Sequence, residues 1–89
     1  MKILEEAHKI LYERSEEKSR MYGPFEEGMK RAAQIFSGMT GRTMTASDMY
    51  KAMVALKLSR QSYHHKEDNL LDAVAYLATL NDHENNQKK

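Results

Sequence analysis

Apolar residues recur at intervals of three and four positions along most of the chain, and this spacing limits the possible folds strongly. It places the apolar side chains of each segment on one side of an α-helix. The chain of 89 residues contains only one proline and four glycines, too few for the many turns of a typical β-fold. The sequence therefore predicts an all-α fold.

Four segments carry the helical spacing, and the predicted helices cover about residues 2–19, 24–37, 45–62 and 68–80. Thr45 and Asp48 have the spacing of a capping box at the start of the third helix. Because the turn between the last two helices is short, these helices are expected to form an antiparallel hairpin. The prediction is a small four-helix domain with a C-terminal helical hairpin.

The length predicts a single domain, residues 1–82, followed by a polar and disordered tail, residues 83–89. A domain of this size buries only ~60–65% of the surface that its unfolded chain exposes. We therefore expect the protein to self-associate into a homo-oligomer. The absence of cysteine, of a signal peptide and of an apolar run long enough for a bilayer predicts a cytoplasmic location away from the membrane.

The formal net charge is +1, from 14 basic and 13 acidic side chains. Proteins that bind nucleic acids through electrostatic attraction usually show a clear excess of basic residues. The charge balance therefore argues against a nucleic-acid partner.

Four charged residues lie beside apolar positions of the predicted hairpin. Lys57 and Arg60 continue the apolar stripe of the third helix, and Asp68 and Asp72 lie on one stripe of the fourth. Folding the hairpin about His64 places Arg60 opposite Asp68. The same folding places Lys57 opposite Leu71 and Asp72, so two ion pairs are predicted.

These four residues have a structural and a functional interpretation. They can be ion pairs that fix the register of the hairpin. Alternatively, the two cations bind a phosphate while the aspartates orient them. Tyr22 and Tyr76 are candidate ligand-binding residues beside them, because a tyrosine ring can stack on a base. No catalytic residue, metal site or cofactor is predicted; His64 and Asp68 alone would form only a two-ligand site.

The segments "MYG", "DMYKAMVALKLSR" and "DNLLDAVAYLA" resemble those of an uncharacterised family of small phage-encoded helical proteins. The resemblance covers about residues 3–80. That family is in turn similar to the all-α nucleotide pyrophosphatases of the MazG type, which bind magnesium through Glu-x-x-Glu and Glu-x-x-Asp. At these positions the chain has Lys57-Leu-Ser-Arg60 and Asn69-Leu-Leu-Asp72. Only Asp72 carries over directly, and two cations replace two carboxylates.

Three functions are compatible with these features. The first is a non-enzymatic phage-type accessory protein that binds a phosphorylated small molecule, such as a nucleotide, at the six residues named above. The second is an effector that binds and inhibits a host protein, either an enzyme or a defence factor. The third, implied by the resemblance, is a residual magnesium-dependent nucleotide pyrophosphatase. A phage origin would place the protein in the cytoplasm of the host cell.

Overall fold

The computed structural model describes residues 1–11 and 24–87 and shows four helices in this part of the chain. They are α1 (Lys2–Lys9), α2 (Phe25–Thr40), α3 (Ala46–Tyr63) and α4 (Glu67–Gln87). No strand occurs among the described residues, so the predicted all-α class is confirmed. The predicted continuation of the first helix to Ser19 lies largely outside the described residues.

The helix α4 lies at the centre of the packing. It packs most extensively against α3 and also against α1, while α2 packs against α3. Three contacts between α3 and α4 join Lys57 to Asp72, Tyr50 to His83 and Lys51 to Glu84. Residues earlier in α3 thus meet residues later in α4. The predicted antiparallel hairpin is confirmed.

The start of α3 has the predicted capping box. The backbone N–H of Asp48 donates to Thr45 Oγ1 at 3.1 Å, and the backbone N–H of Thr45 donates to Asp48 Oδ2 at 3.0 Å. Two backbone donors that the helix itself leaves unpaired are therefore satisfied. The hydrogen bond from the Thr45 backbone N–H to its carboxylate is the main cause that lowers the pKa of Asp48.

Replacing Thr45 with alanine removes the first of these hydrogen bonds. We expect the free energy of unfolding to fall by ~1 kcal/mol, the usual effect of removing an N-cap side chain. Urea unfolding followed by circular dichroism measures this change. Thr43→Ala is the control, because Thr43 is exposed and precedes the helix. Equal losses in the two variants would contradict the role of the capping box.

The helix α2 ends three residues later than predicted, at Thr40. Gly41 follows it with φ 72°, a left-handed conformation that glycine adopts without the steric cost of a side chain. Ser37 then fixes the connection to α3: its hydroxyl donates to the carbonyl oxygen of Ala33 and accepts from the backbone N–H of Met44, both at 2.8 Å. These two hydrogen bonds of the Ser37 side chain hold the connection in place.

The prediction that α4 ends near Leu80 is wrong, because the helix continues to Gln87. His83, which was assigned to the polar tail, is only 6% exposed. The reason is tertiary: His83 packs against Tyr50 of α3, so a polar segment without apolar periodicity is held in helical form by a contact distant in sequence. Lys88 and Lys89 lie outside the described residues.

Most of the buried apolar side chains in the described part of the chain are small. They are Ala7, Ala33, Tyr50, Leu71, Ala73 and Ala75. Tyr50 is the largest of these side chains and is 1% exposed. Small residues allow the helices to approach closely, but they leave Tyr50 and its neighbours to supply much of the buried side-chain surface.

Candidate functional site

Two of the predicted site residues meet in an ion pair between α3 and α4. Lys57 Nζ lies 3.0 Å from Asp72 Oδ2, and the two side chains are 15% and 35% exposed. The predicted proximity of Lys57 and Asp72 is therefore confirmed. A charge-assisted hydrogen bond of this length, partly shielded from water, is stronger than an exposed pair.

Lys57 reaches this position because it lies on the face of α3 that packs inward. That face is formed by Tyr50, Val54, Lys57 and Gln61, whose spacing of four, three and four residues keeps them on one side of the helix. The stem of the lysine covers apolar surface while its ammonium group reaches Asp72.

The predicted ion pair between Arg60 and Asp68 is not formed, although the structure describes both residues, and each is exposed. On a helical wheel with about 100° per residue, Arg60 lies about 80° away from Tyr50. Arg60 is therefore turned away from the inward face that contains Tyr50 and Lys57. Asp68 lies in the first turn of α4, where a carboxylate interacts favourably with the helix dipole without a cationic partner. The next residue, Asn69, is buried instead.

Tyr76 lies near the ion pair on α4. Burial raises the pKa of its hydroxyl; the charge of Asp72 adds to this effect and the charge of Lys57 opposes it. The hydroxyl therefore stays protonated at neutral pH and can donate a hydrogen bond. We call Lys57, Asp72 and Tyr76 the hairpin cluster. Tyr22, the sixth predicted ligand-binding residue, lies outside the described residues.

The turn between α3 and α4 contains His64 and His65. In the described part of the chain, no group of three or more histidine, cysteine, aspartate or glutamate side chains is placed to hold a metal ion. Gln61 uses its side chain to hold the turn instead. Its Nε2 donates to His65 Nδ1 at 2.6 Å, and its Oε1 accepts from the backbone N–H of Lys66 at 3.2 Å.

A row of aromatic rings leads from the hairpin cluster to the end of α4. The Phe25 ring lies 5.8 Å from the rings of both Tyr76 and Tyr50, and the Tyr50 ring lies 5.4 Å from that of His83. These centroid distances are typical of packed aromatic pairs. The Phe25 side chain, at the start of α2, therefore connects the two ends of this row.

An open cleft of about 200 Å³ lies at the far end of this row. We call it the His83 cleft, and it is lined by Phe25, Glu26, Tyr50, Thr79, Asp82, His83 and Asn86. His83 Nδ1 donates a hydrogen bond to Glu26 Oε1 at 2.7 Å. Burial, and secondly the charge of Glu26, raises the pKa of Tyr50 to about 12. Its hydroxyl is therefore neutral at physiological pH.

The sequence does not predict this cleft. His83 falls in the predicted tail, and Glu26 has no predicted role. Their contact joins positions 57 residues apart, and no local spacing reports such a contact.

None of the helices formed by residues 1–11 and 24–87 combines the length and apolar character needed to cross a membrane.

Comparison with known proteins identifies one family. The family described as "Domain of unknown function (DUF6378)" matches residues 2–84, which include the hairpin cluster and most of the His83 cleft. No curated protein and no solved structure matches the chain. The family description states no function, so the resemblance to phage proteins and to MazG-type enzymes stays a prediction.

Proposed function

We propose that the chain, which belongs to the DUF6378 family, is a non-enzymatic binding protein. Its ligand would be a phosphorylated small molecule such as a nucleotide. The observation that supports this proposal is the hairpin cluster. It contains an ammonium group at low exposure, a carboxylate 3.0 Å away and a neighbouring tyrosine whose pKa is raised. Such convergent polar groups are typical of small-molecule sites.

The ligand's phosphate would bind to donors that the ion pair leaves available. An ammonium group has three donors, and Asp72 occupies one of them while restraining the position of Lys57. Arg60 lies three residues further along α3, is exposed and has no ion-pair or hydrogen-bond partner among the described residues. Its planar guanidinium group can bind two phosphate oxygens. Lys57 and Arg60 supply the positive charge that attracts the anion, and Asp72 offsets part of it.

Asp68 has a more distant role in this proposal. It is exposed and one helical turn from Asp72, so it can interact with Arg60 or with ligand hydroxyl groups when the ligand is bound. Tyr22 is proposed as a stacking residue on the basis of its sequence position alone. Tyr76 offers its hydroxyl as a donor.

Isothermal titration against mono-, tri- and cyclic nucleotides tests the proposal. We expect saturable binding by at least one of them, and we expect Arg60→Ala to raise its Kd about tenfold, because a hydrogen bond to a charged group contributes ~1.5 kcal/mol. Lys51→Ala is the matched control: Lys51 is an exposed cation of the same helix, paired with Glu84. Absence of heat from the whole panel, or equal losses in the two variants, would overturn the proposal.

The pyrophosphatase alternative has weaker support. Asp72, the carboxylate that the MazG-type pattern retains, contacts Lys57, and magnesium sites in such enzymes use carboxylates and substrate phosphates as ligands. Release of pyrophosphate from a nucleoside triphosphate with magnesium, abolished by Asp72→Asn, would favour the enzyme over the binding protein.

The second candidate, a protein-binding effector, is favoured by the apolar surface of α2. Ile35, Phe36 and Met39 lie close together on this helix and are 62%, 41% and 80% exposed. Exposed apolar groups of this kind are common at protein interfaces. The same surface is also available for the proposed self-association. Sedimentation velocity of the wild-type protein and of Met39→Glu separates these roles, because only self-association predicts a change in mass without a partner.

A further inference from the structure

We propose that the His83 cleft is a binding site for an ammonium or guanidinium group, a site separate from the hairpin cluster. The first reason is charge. Two carboxyl groups, those of Glu26 and Asp82, line the cleft, and no lysine or arginine does. Even with a protonated His83, the two carboxylates leave the cleft with an excess of negative charge, and such a concave surface concentrates cations.

The second reason is a buried hydroxyl group without a partner. Tyr50 is 1% exposed and lines the cleft, yet no described residue forms a hydrogen bond with its hydroxyl. No fully buried side-chain oxygen or nitrogen in the described residues lacks a partner. The Tyr50 hydroxyl must therefore keep a small contact with solvent, and its side chain is part of the cleft lining. This oxygen is available to accept a hydrogen bond from a ligand in the cleft.

Glu26 also retains an unused acceptor. Its Oε1 accepts from His83, whereas its Oε2 has no hydrogen-bond partner among the described residues. The Glu26–His83 hydrogen bond fixes the carboxylate at the cleft wall, so a cation binding there would meet a group that is already oriented. The lone pairs of Oε2 and of the Tyr50 oxygen are acceptors that suit N–H donors.

The apolar part of the cleft favours an organic cation over a metal ion. The Phe25 ring is 43% exposed and forms part of the lining, and a ring face attracts ammonium and guanidinium groups. The volume of about 200 Å³ is below the ~300 Å³ at which clefts for drug-sized ligands begin. The cleft therefore fits one cationic head group, supplied either by a small free amine or by a lysine or arginine side chain of another protein.

Titration of the ¹⁵N-labelled full chain with methylguanidinium chloride, followed by NMR, tests the inference. We expect saturable shifts of the backbone amides of Glu26, Tyr50 and His83. Methylurea, the neutral molecule of nearly the same shape, should produce no saturable shift. A blocked peptide with one central arginine distinguishes the sources: tighter binding than that of methylguanidinium indicates a protein side chain, and weaker binding indicates a free small cation.

Two substitutions locate the site. Glu26→Gln keeps an oxygen that can accept from His83 but removes the charge, and we expect it to raise the Kd of methylguanidinium at least fivefold. Tyr50→Phe keeps the ring, removes the hydroxyl and should raise the Kd at least threefold. Glu84→Gln is the control, because Glu84 contacts Lys51 outside the cleft. No saturable shift with methylguanidinium, equal shifts with methylurea, or an equal loss in Glu84→Gln would overturn the inference.

Discussion

Replacing Tyr50 with alanine is expected to lower the free energy of unfolding by about 3–5 kcal/mol, the range measured for large aromatic side chains in protein cores. Tyr50 is 1% exposed, and its ring contacts those of Phe25 and His83. Most of the other buried apolar residues in the described part of the chain are alanines, whose side chains are too short to fill the cavity. Native proteins are stable by only about 5–15 kcal/mol in total, so this loss is a large fraction of the stability of the domain.

The matched control is the same substitution at Tyr63, in the last turn of the same helix. Tyr63 is 93% exposed, so Tyr63→Ala should change the free energy of unfolding by less than about 0.5 kcal/mol. Urea unfolding at low protein concentration, followed by circular dichroism, compares the two variants. Similar losses at Tyr50 and Tyr63 would show that α3 does not pack as described.

The helices and the hairpin were predictable because their signals are local. The spacing of apolar residues identified the two helices of the hairpin. The capping box identified Thr45 correctly as the residue that caps the start of α3. The end of α4 was not predictable in this way. Its last turns are polar, and the burial of His83 against Tyr50 depends on a contact that only the folded hairpin creates.

In the candidate site, too, one contact was predictable from the sequence and another was not. Folding the hairpin about its turn correctly placed Lys57 opposite Asp72, because that rule depends only on distance along each helix. It failed for Arg60 and Asp68, because it takes no account of the rotation of each helix about its axis. That rotation is set by the packing of Tyr50 and its neighbours, which the spacing of charges does not report.

A double-mutant cycle on Lys57 and Asp72 should give a coupling energy of about 1–2 kcal/mol, between the values for exposed and for buried pairs. Lys57→Met and Asp72→Asn suit this cycle because they remove charge with little change in volume. Each single variant should be less stable than the double variant, because it leaves one charge of a partly shielded pair without its partner. The measurement is urea unfolding of the four proteins at neutral pH.

The Lys51–Glu84 pair supplies a control cycle between the same two helices. Its atoms are 3.9 Å apart and its side chains are 61% and 44% exposed, so its coupling should be about 0–0.5 kcal/mol and should fall further as salt is added. Equal coupling in the two cycles would show that Lys57 and Asp72 are solvated independently.

The coupling energy also bears on ligand binding at the hairpin cluster. A phosphate that separated Lys57 from Asp72 would lose that coupling and would have to offset it with new hydrogen bonds. A phosphate that used the remaining ammonium donors would keep it, because Lys57 can bind Asp72 and the ligand together. In the second case Asp72→Asn weakens ligand binding, since Lys57 loses the group that orients it. In the first case the same substitution strengthens binding, since it frees Lys57 for the phosphate. Titration of Asp72→Asn with the nucleotide that binds the wild-type protein therefore distinguishes an orienting carboxylate from a competing one.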